Sequence, residues 1–319
     1  MLKCTFCGRR AAYHRRYAGV LLCDRCLIKS VEKRFWRAIA EHKMISPRER
    51  VAVAVSGGKD SVALMHLLAE YCKQKNCELV AITIDEGIKG YRDRSVPIAR
   101  ENAKSLGVEH IVVSFEPTFG ATLDKMVKLA KLKKTRLNPC TYCGVMRRSL
   151  LNQAARELKA DKLATAHNLD DEVQAIMLNY VRADLSRLHR LGPTYPPQKG
   201  FVPRIKPFRE IPEKEVALYA LLSGLKVHLE VCPYASGIHT EIRDFLNELE
   251  TNHPNSKFMI FRMFERIKPN IARVTPKFEM RRCELCGEQT SVNICKSCEL
   301  LKGLGLKRLQ KTLISPKSS

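Results

Sequence analysis

The stretch Val51-Ala52-Val53-Ala54-Val55-Ser56-Gly57-Gly58-Lys59-Asp60-Ser61 constrains this chain more than any other. A β-branched apolar run enters a turn with two adjacent glycines and leaves through Val62, Met65, Leu68 and Cys72, which recur at helical spacing. The pattern predicts a strand, a phosphate-binding turn and a helix. Glycines let a backbone approach phosphate oxygens, and the unpaired N–H groups that open a helix point at an anion. Ser56 and Ser61 can add hydroxyl donors. The string is not a Walker A loop, whose first glycine stands farther from its Gly-Lys-Ser/Thr ending.

Around this unit the chain alternates apolar runs with helical stretches. Leu79 to Ile84 reads as a strand ending at Asp85, Asp93 to Leu106 as a helix, and His110 to Phe115 as a strand. Leu163 to Ala166 reads as another strand, followed by His167-Asn168-Leu169-Asp170-Asp171-Glu172 and a helix to Tyr180. Such alternation predicts an α/β fold with a parallel sheet and a nucleotide site at the carboxyl ends of its strands. Asp85 stands at that edge, either to hold magnesium or contact the nucleotide, or to cap the next element. Asp170 and Asp171 can cap their helix, face the ligand, or both. Beyond Gly192, Pro193, Pro196, Pro197, Pro203 and Pro207 predict a loop beside the substrate site. Glu213 to Leu222 and His239 to Thr251 read as helices, and Val227 to Val231 as a short strand leading to Cys232.

Eight of the thirteen cysteines form paired Cys-x-x-Cys units: Cys4 and Cys7 with Cys23 and Cys26, then Cys283 and Cys286 with Cys295 and Cys298. Each quartet can close tetrahedrally around a structural zinc, whose binding energy replaces the core that so short a segment lacks. A disulfide framework suits a small secreted domain better, and the sequence offers no charged-then-apolar signal segment. A third pair, Cys140 and Cys143 in Asn138-Pro139-Cys140-Thr141-Tyr142-Cys143-Gly144, has no partner pair nearby. Arg147 and Arg148 follow it, at the expected start of a helix through Leu158. Cys232 is the other cysteine in a polar, turn-like setting, whereas Cys72 and Cys77 read as free core thiols. His14 reads as a surface or RNA-facing residue. The expected organisation is an N-terminal zinc module (1–29), a basic linker helix (30–47, with Phe35, Trp36 and Ile39), a catalytic domain (48–270), and a C-terminal zinc ribbon with a basic tail (271–319).

Lys+Arg 56 against Asp+Glu 33 gives a net charge of +23. A surplus of that size points to a polyanionic partner, because cations that neutralise phosphates release condensed counterions. Lys125, Lys128, Lys131, Lys133, Lys134 and Arg136 form one basic run, and Arg281, Arg282, Lys302, Lys307, Arg308 and Lys311 flank the last cysteines. No apolar run is long enough to cross a bilayer, so the expected location is cytoplasmic, with no membrane partner. Pro316 to Ser319 is expected to be mobile.

The Ser56–Ser61 string resembles the PP-loop of the N-type ATP pyrophosphatase superfamily. With Pro139–Val145, Arg147-Arg148, His167–Asp171 and Glu230-Val231-Cys232-Pro233-Tyr234 in order, nearly the whole chain resembles the tRNA 2-thiolation enzymes. Arg182–Leu188 and Ile294–Leu301 are more closely similar to the archaeal and eukaryotic cytosolic thiouridylase catalytic subunit, which makes 2-thiouridine at the tRNA wobble position. The resemblance implies a homodimer that binds tRNA and places ATP and Mg2+ against Ala54, Val55, Ser56, Gly57, Gly58, Lys59, Asp60, Ser61, Ile84, Asp85, Arg147, Ala166 and Asp171. ATP would adenylate the uridine 2-oxygen and release pyrophosphate, and sulfur would then displace AMP. Lys59 and Arg147 would steady phosphate charge, and Asp60 would organise the loop or the metal. Cys140, Cys143 and Cys232 would ligate a [4Fe–4S] cluster, one thiolate short of the usual set, leaving an open iron for hydrosulfide. A persulfide relay between cysteines is the iron-free alternative. The sulfur donor would be sulfide or a ubiquitin-like thiocarboxylate carrier. Ala166 departs from the glycine usual before the His-Asn pair, and its small side chain implies no loss of activity. Competing readings are thiolation of the T-loop uridine at position 54, a PP-loop ligase such as tRNA lysidine synthetase, and a non-enzymatic zinc-containing RNA-binding protein.

Overall fold

The structure, a computed structural model, describes residues 2–194, 200–275, 279–310 and 312–314. Pro196, Pro197, Lys311 and the Pro316–Ser319 tail lie outside the described residues.

An antiparallel pair, β1 (Tyr13–Arg15) and β2 (Val20–Leu22), leads into helix α1 (Asp24–Glu41). This helix starts among the cysteines rather than at Ser30: Cys23 is its N-cap and Cys26 lies in its first turn. Free N–H groups and the positive end of the dipole favour thiolates there, so zinc module and linker are one continuous element. Its buried stripe, Leu27, Val31, Phe35, Ala38 and Ile39, joins the core shared with the sheet.

The central domain follows as β3 (Arg50–Ala54), α2 (Lys59–Lys75), β4 (Glu78–Asp85), α3 (Arg92–Ser105), β5 (Glu109–Ser114), α4 (Phe115–Phe119), α5 (Leu123–Leu132), α6 (Pro139–Glu157), β6 (Lys162–Ala164), α7 (Leu169–Val181), α8 (Leu185–His189), β7 (Arg204–Ile205) and α9 (Glu213–Leu222). The sheet is parallel throughout, in the order β5-β4-β3-β6-β7. Alternate residues of β3 serve opposite faces. Val51, Val53 and Val55 join the core under α1, α2 and α9, while Ala52 joins the core with α6. Because β4 and β6 flank β3 on either side, the chain's progress across the sheet reverses at the end of β3, where an α/β sheet opens a crevice.

Four local expectations give way. Helix α6 begins at Pro139, not near Arg147: the Asn138 side chain accepts from the Cys140 amide as N-cap, and Pro139 has no N–H to leave unpaired. Cys140 and Cys143 are thereby fixed on a helix start. Residues Val227 to Val231 form no strand, only an isolated parallel bridge between His228 and Gly58. A strand, β7, does form within the proline-rich stretch. Cys72 and Cys77 are joined in a disulfide, not free, because α2 stops at Lys75 and the left-handed Asn76 folds the chain back until their Cα atoms stand 4.5 Å apart.

Helices α10 (Ile238–Asn252) and α11 (Ser256–Val274) pack on α7 and α8 around Leu169, Val173, Ile176, Leu246 and Phe264. The 270/271 boundary falls inside α11. The pair β8 (Arg281–Arg282) and β9 (Gln289–Thr290) precedes α12 (Lys296–Leu304), whose Leu300, Leu301 and Leu304 join the α6 core. At the other end the zinc module is anchored by Glu215 of α9, which is fully buried. Its carboxylate accepts from Arg15 Nε at 2.9 Å and Nη2 at 2.7 Å, from Tyr17 Oη at 2.6 Å, and from Arg34.

Candidate nucleotide and cysteine site

The turn after β3 is held open by its own side chains. The Ser56 amide donates to Ser61 Oγ at 3.0 Å, and Ser61 Oγ donates in turn to the Gly58 carbonyl at 3.0 Å. Gly57 has φ +86, and a Cβ there would stand 2.2 Å from the Ser95 carbonyl oxygen, so only glycine fits. Gly58 is the N-cap of α2 and carries no side chain to fill the space before the free amides of that helix. Ala54 and Val55 end β3, Ile84 and Asp85 end β4, and Ala166 follows β6, so the residues expected to hold ATP gather on one edge of three adjacent strands.

That edge carries more negative charge than it neutralises. Lys59 Nζ lies 2.7 Å from both Asp60 Oδ2 and Glu213 Oε1, so its charge is already shared between carboxylates. Asn168 Nδ2 donates to Asp60 Oδ1 at 3.4 Å. Asn168 and Asp171 form a capping box at the start of α7. Burial raises the Asp60 carboxyl above its ordinary range despite Lys59 beside it. Burial pushes Asp171 up to about 7, opposed by the Asn168 amide and reinforced by the like charges of Asp60, Glu213 and Asp170. Asp60 and Asp171 offer carboxylate oxygens, the donor type that magnesium takes, although among the described residues no three carboxylates bring their oxygens within 4.8 Å of one another. Asp85 closes the turn after β4, its Oδ1 accepting from the Gly87 amide at 2.8 Å, and does not cap α3, whose N-cap is Tyr91.

Cys140, Cys143 and Cys232 come together from two segments. Cys140 is exposed and its Sγ donates to the Tyr234 carbonyl at 3.3 Å, two residues past Cys232. Cys232 and Tyr234 pack against the core cluster that contains Cys143. The segment leading to Cys232 lies on the glycine turn, with the His228 amide donating to the Gly57 carbonyl at 2.8 Å. Arg147 Nη2 donates to Cys143 Sγ at 3.1 Å, and its Nε donates to Glu86 Oε1 at 2.6 Å. Burial pushes the Cys143 thiol up to about 11, with Arg147 opposing it. Arg147, expected near phosphate, thus has its close partners on the cysteine side.

Glu86, Arg92, His228 and Glu213 are site residues that the sequence reading missed. Glu86 directly follows Asp85 in the sequence and is fully buried, with Arg92 on its other oxygen. Burial would raise its carboxyl, but Arg147 and Arg92 outweigh that and hold it below its ordinary range.

The donor sets separate metal types. Among the described residues, the groups of three or more potential ligands whose donor atoms all lie within 4.8 Å of one another are Cys4, Cys7, Cys23 and Cys26, and Cys283, Cys286, Cys295 and Cys298. Tetrahedral zinc with Zn–S of about 2.3 Å places thiolates roughly 3.8 Å apart, and Cys286 and Cys295 stand 3.7 Å apart. Both quartets fit zinc. The set Cys140, Cys143 and Cys232 is not drawn in that tightly. A polynuclear cluster, which offers each thiolate a different metal atom, does not need its ligands that close.

A model of the PP-loop domain matches residues 28–226. The tRNA 2-thiolation protein NcsA of Haloferax volcanii is 39% identical, covering 95% of this chain and 99% of that one. The tRNA-5-methyluridine(54) 2-sulfurtransferase of Pyrococcus horikoshii is 33% identical, covering 96% of this chain and 95% of that one. A solved structure, the U34-tRNA thiolase NcsA from Methanococcus maripaludis with its [4Fe-4S] cluster, superposes with a TM-score of 0.83 at 37% identity, covering 98% of this chain and 99% of that one.

Proposed function

Because the chain belongs to the PP-loop tRNA 2-thiolation proteins and is a tRNA sulfurtransferase of that family, we propose that it makes 2-thiouridine at the tRNA wobble position, at the expense of ATP. The observation that carries this reading is the His228–Gly57 hydrogen bond, which lays the Cys232 arm on the phosphate turn. Activation and sulfur delivery on one base need those two sites side by side.

In the first step the uridine 2-oxygen attacks the α-phosphorus and pyrophosphate leaves. The N–H groups of Gly57 and Gly58, with Ser56 and Ser61, face the departing pyrophosphate, and Asp60 and Asp171 would hold a Mg2+ ion that neutralises its charge. In the second step sulfur attacks C2 and AMP leaves with the former 2-oxygen. Bound to Cys140, Cys143 and Cys232, a [4Fe–4S] cluster would supply a site for the incoming sulfide. Arg147 places a permanent positive charge beside that delivery, and burial of Cys143 excludes water there.

The two quartets hold structural zinc. The exposed Lys125, Lys128, Lys131 and Arg136 offer a face for tRNA phosphates. No helix among the described residues is long and apolar enough to cross a membrane. We place the reaction in the cytoplasm, in a homodimer, with sulfide or a ubiquitin-like thiocarboxylate as donor.

The test is anaerobic incubation of iron-loaded protein with tRNA, ATP, Mg2+ and sulfide, followed by mapping of 2-thiouridine. Thiolation at the wobble uridine, abolished by replacing any of Cys140, Cys143 or Cys232 with alanine, is the expected result. Product at the T-loop uridine would overturn the choice of base, and unimpaired thiolation by all three variants would overturn the cysteine mechanism.

A further inference from the structure

We propose that Glu86 is a positioning residue that links the phosphate turn to the cysteine site, so that nucleotide bound at one alters the thiols at the other. The inference rests on the functional reading above and adds to it a route between the two sites.

The route is continuous. Arg92 donates through Nη1 to the Ser56 carbonyl at 3.0 Å and to Ser95 Oγ at 3.2 Å, while its Nε donates to Glu86 Oε2. Glu86 Oε1 accepts from Arg147 Nε at 2.6 Å, and Arg147 Nη2 reaches Cys143 Sγ at 3.1 Å. Glu86 itself is fully buried and Arg92 is 4% exposed, so the Arg92–Glu86 contact is shut off from water, while the Arg147 side chain is partly exposed.

Each end of the route is a functional atom. The Ser56–Gly57 peptide is planar and trans, so the guanidinium that fixes the Ser56 carbonyl also fixes the direction of the Gly57 N–H opposite it. That N–H is a donor for phosphate. An anion settling on the turn therefore acts on Arg92, and Glu86 can pass the displacement to the planar guanidinium of Arg147 and directly to the Cys143 thiol, whose Sγ stands 4.0 Å from Oε1. Two guanidiniums on one carboxylate also leave an excess positive charge, which bound phosphate or metal-site thiolate can balance. Structural glue does not need this arrangement, since a well-packed apolar group often stabilises as much as a buried ion pair.

The test uses the full-length chain, both metal-free and iron-loaded. Iodoacetamide labelling of Cys140 and Cys143 is followed by mass spectrometry with and without α,β-methylene-ATP and Mg2+. In the metal-free wild type, nucleotide is expected to change the Cys143 rate by at least about fivefold, the scale of an ordinary coupling energy. Glu86→Gln and Arg92→Lys should lose that response when the nucleotide is raised until each variant is saturated, the occupancy being read by a separate binding titration. Arg92→Lys keeps the charge for Glu86 but cannot reach both Glu86 and Ser56, so it serves if Glu86→Gln fails to fold. In the iron-loaded, reduced protein, nucleotide should shift the electron paramagnetic resonance spectrum of wild type and leave that of Arg92→Lys unmoved. A nucleotide response preserved in the folded variants overturns the proposal, whatever their Tm. Wild type that binds nucleotide with no change at either cysteine overturns the link alone. Wild type that binds no nucleotide overturns the functional reading with it.

Discussion

The His228 amide donates to the Gly57 carbonyl across 2.8 Å, so the segment that brings in Cys232 is laid directly on the glycine turn proposed to receive phosphate. Neither the glycines nor the cysteine arm can be moved without the other.

Gly57→Ala should therefore damage both functions. The added Cβ meets the Ser95 carbonyl at 2.2 Å in a backbone of φ +86. Expected are a destabilisation of about 1–3 kcal/mol and a fall in pyrophosphate release of at least about tenfold. Thermal melts and a pyrophosphate assay check the two separately. Gly90→Ala, also at positive φ but with open space around it, should cost stability alone.

Magnesium dependence should follow the Asp171 carboxyl. Burial pushes this carboxyl up to about 7, so the carboxylate proposed to hold Mg2+ is available above that pH and competes with a proton below it. Half-saturating Mg2+ is expected to rise about tenfold between pH 8 and pH 6. Asp171→Asn should weaken Mg2+ binding and flatten the pH profile, measured as Mg2+ titrations of pyrophosphate release.

In metal-free protein, Cys140 should be alkylated first. It is exposed, whereas Cys143 is buried with its thiol raised to about 11 and is a thiolate only rarely at pH 8. A rate difference of at least about tenfold is expected. Peptide mass spectrometry over a labelling time course reads it, and equal rates would contradict the burial.

The elements carrying these sites were unevenly legible. Val51–Ser61 announced strand, turn and helix because each step has its own local signature, and the quartets announced themselves by spacing. Glu86 and Arg92 did not, because a buried ion pair between a strand end and a helix start leaves no periodicity. The start of α6 was misplaced at Arg147 because the cysteine pair read as a loop, although Asn138-Pro139 is a helix-opening signal. Val227–Val231 looked like a strand by composition, yet it lies on the glycine turn where it has room for a single bridge. The Cys72–Cys77 disulfide depended on the left-handed turn at Asn76, which residue type alone does not dictate.

Zinc content should respond to single cysteines in either quartet. Purified protein is expected to carry about two zinc ions per chain. Cys26→Ala or Cys298→Ala should each remove about one, without the other quartet noticing. Elemental analysis gives the count, and retention of both ions in either variant would disprove the assignment.

Glu215→Ala should release the zinc module from α9. It strands Arg15 and Arg34 in a buried site, at a cost of about 3–5 kcal/mol. For a chain of this size the expected fall in Tm is roughly 10 °C, with new proteolytic cleavage near residues 42–49. A Tm unchanged within a degree or so would mean that the module is held elsewhere.

The same anchor bears on how the protein is made. Arg15 leaves the ribosome 200 residues ahead of the carboxylate that will receive it. During that interval α1 can settle on β3 and α2, but the segment around Arg15 lacks its anchor and depends on its own bound ion for its shape, so metal shortage during translation should leave it open to misfolding until α9 is made.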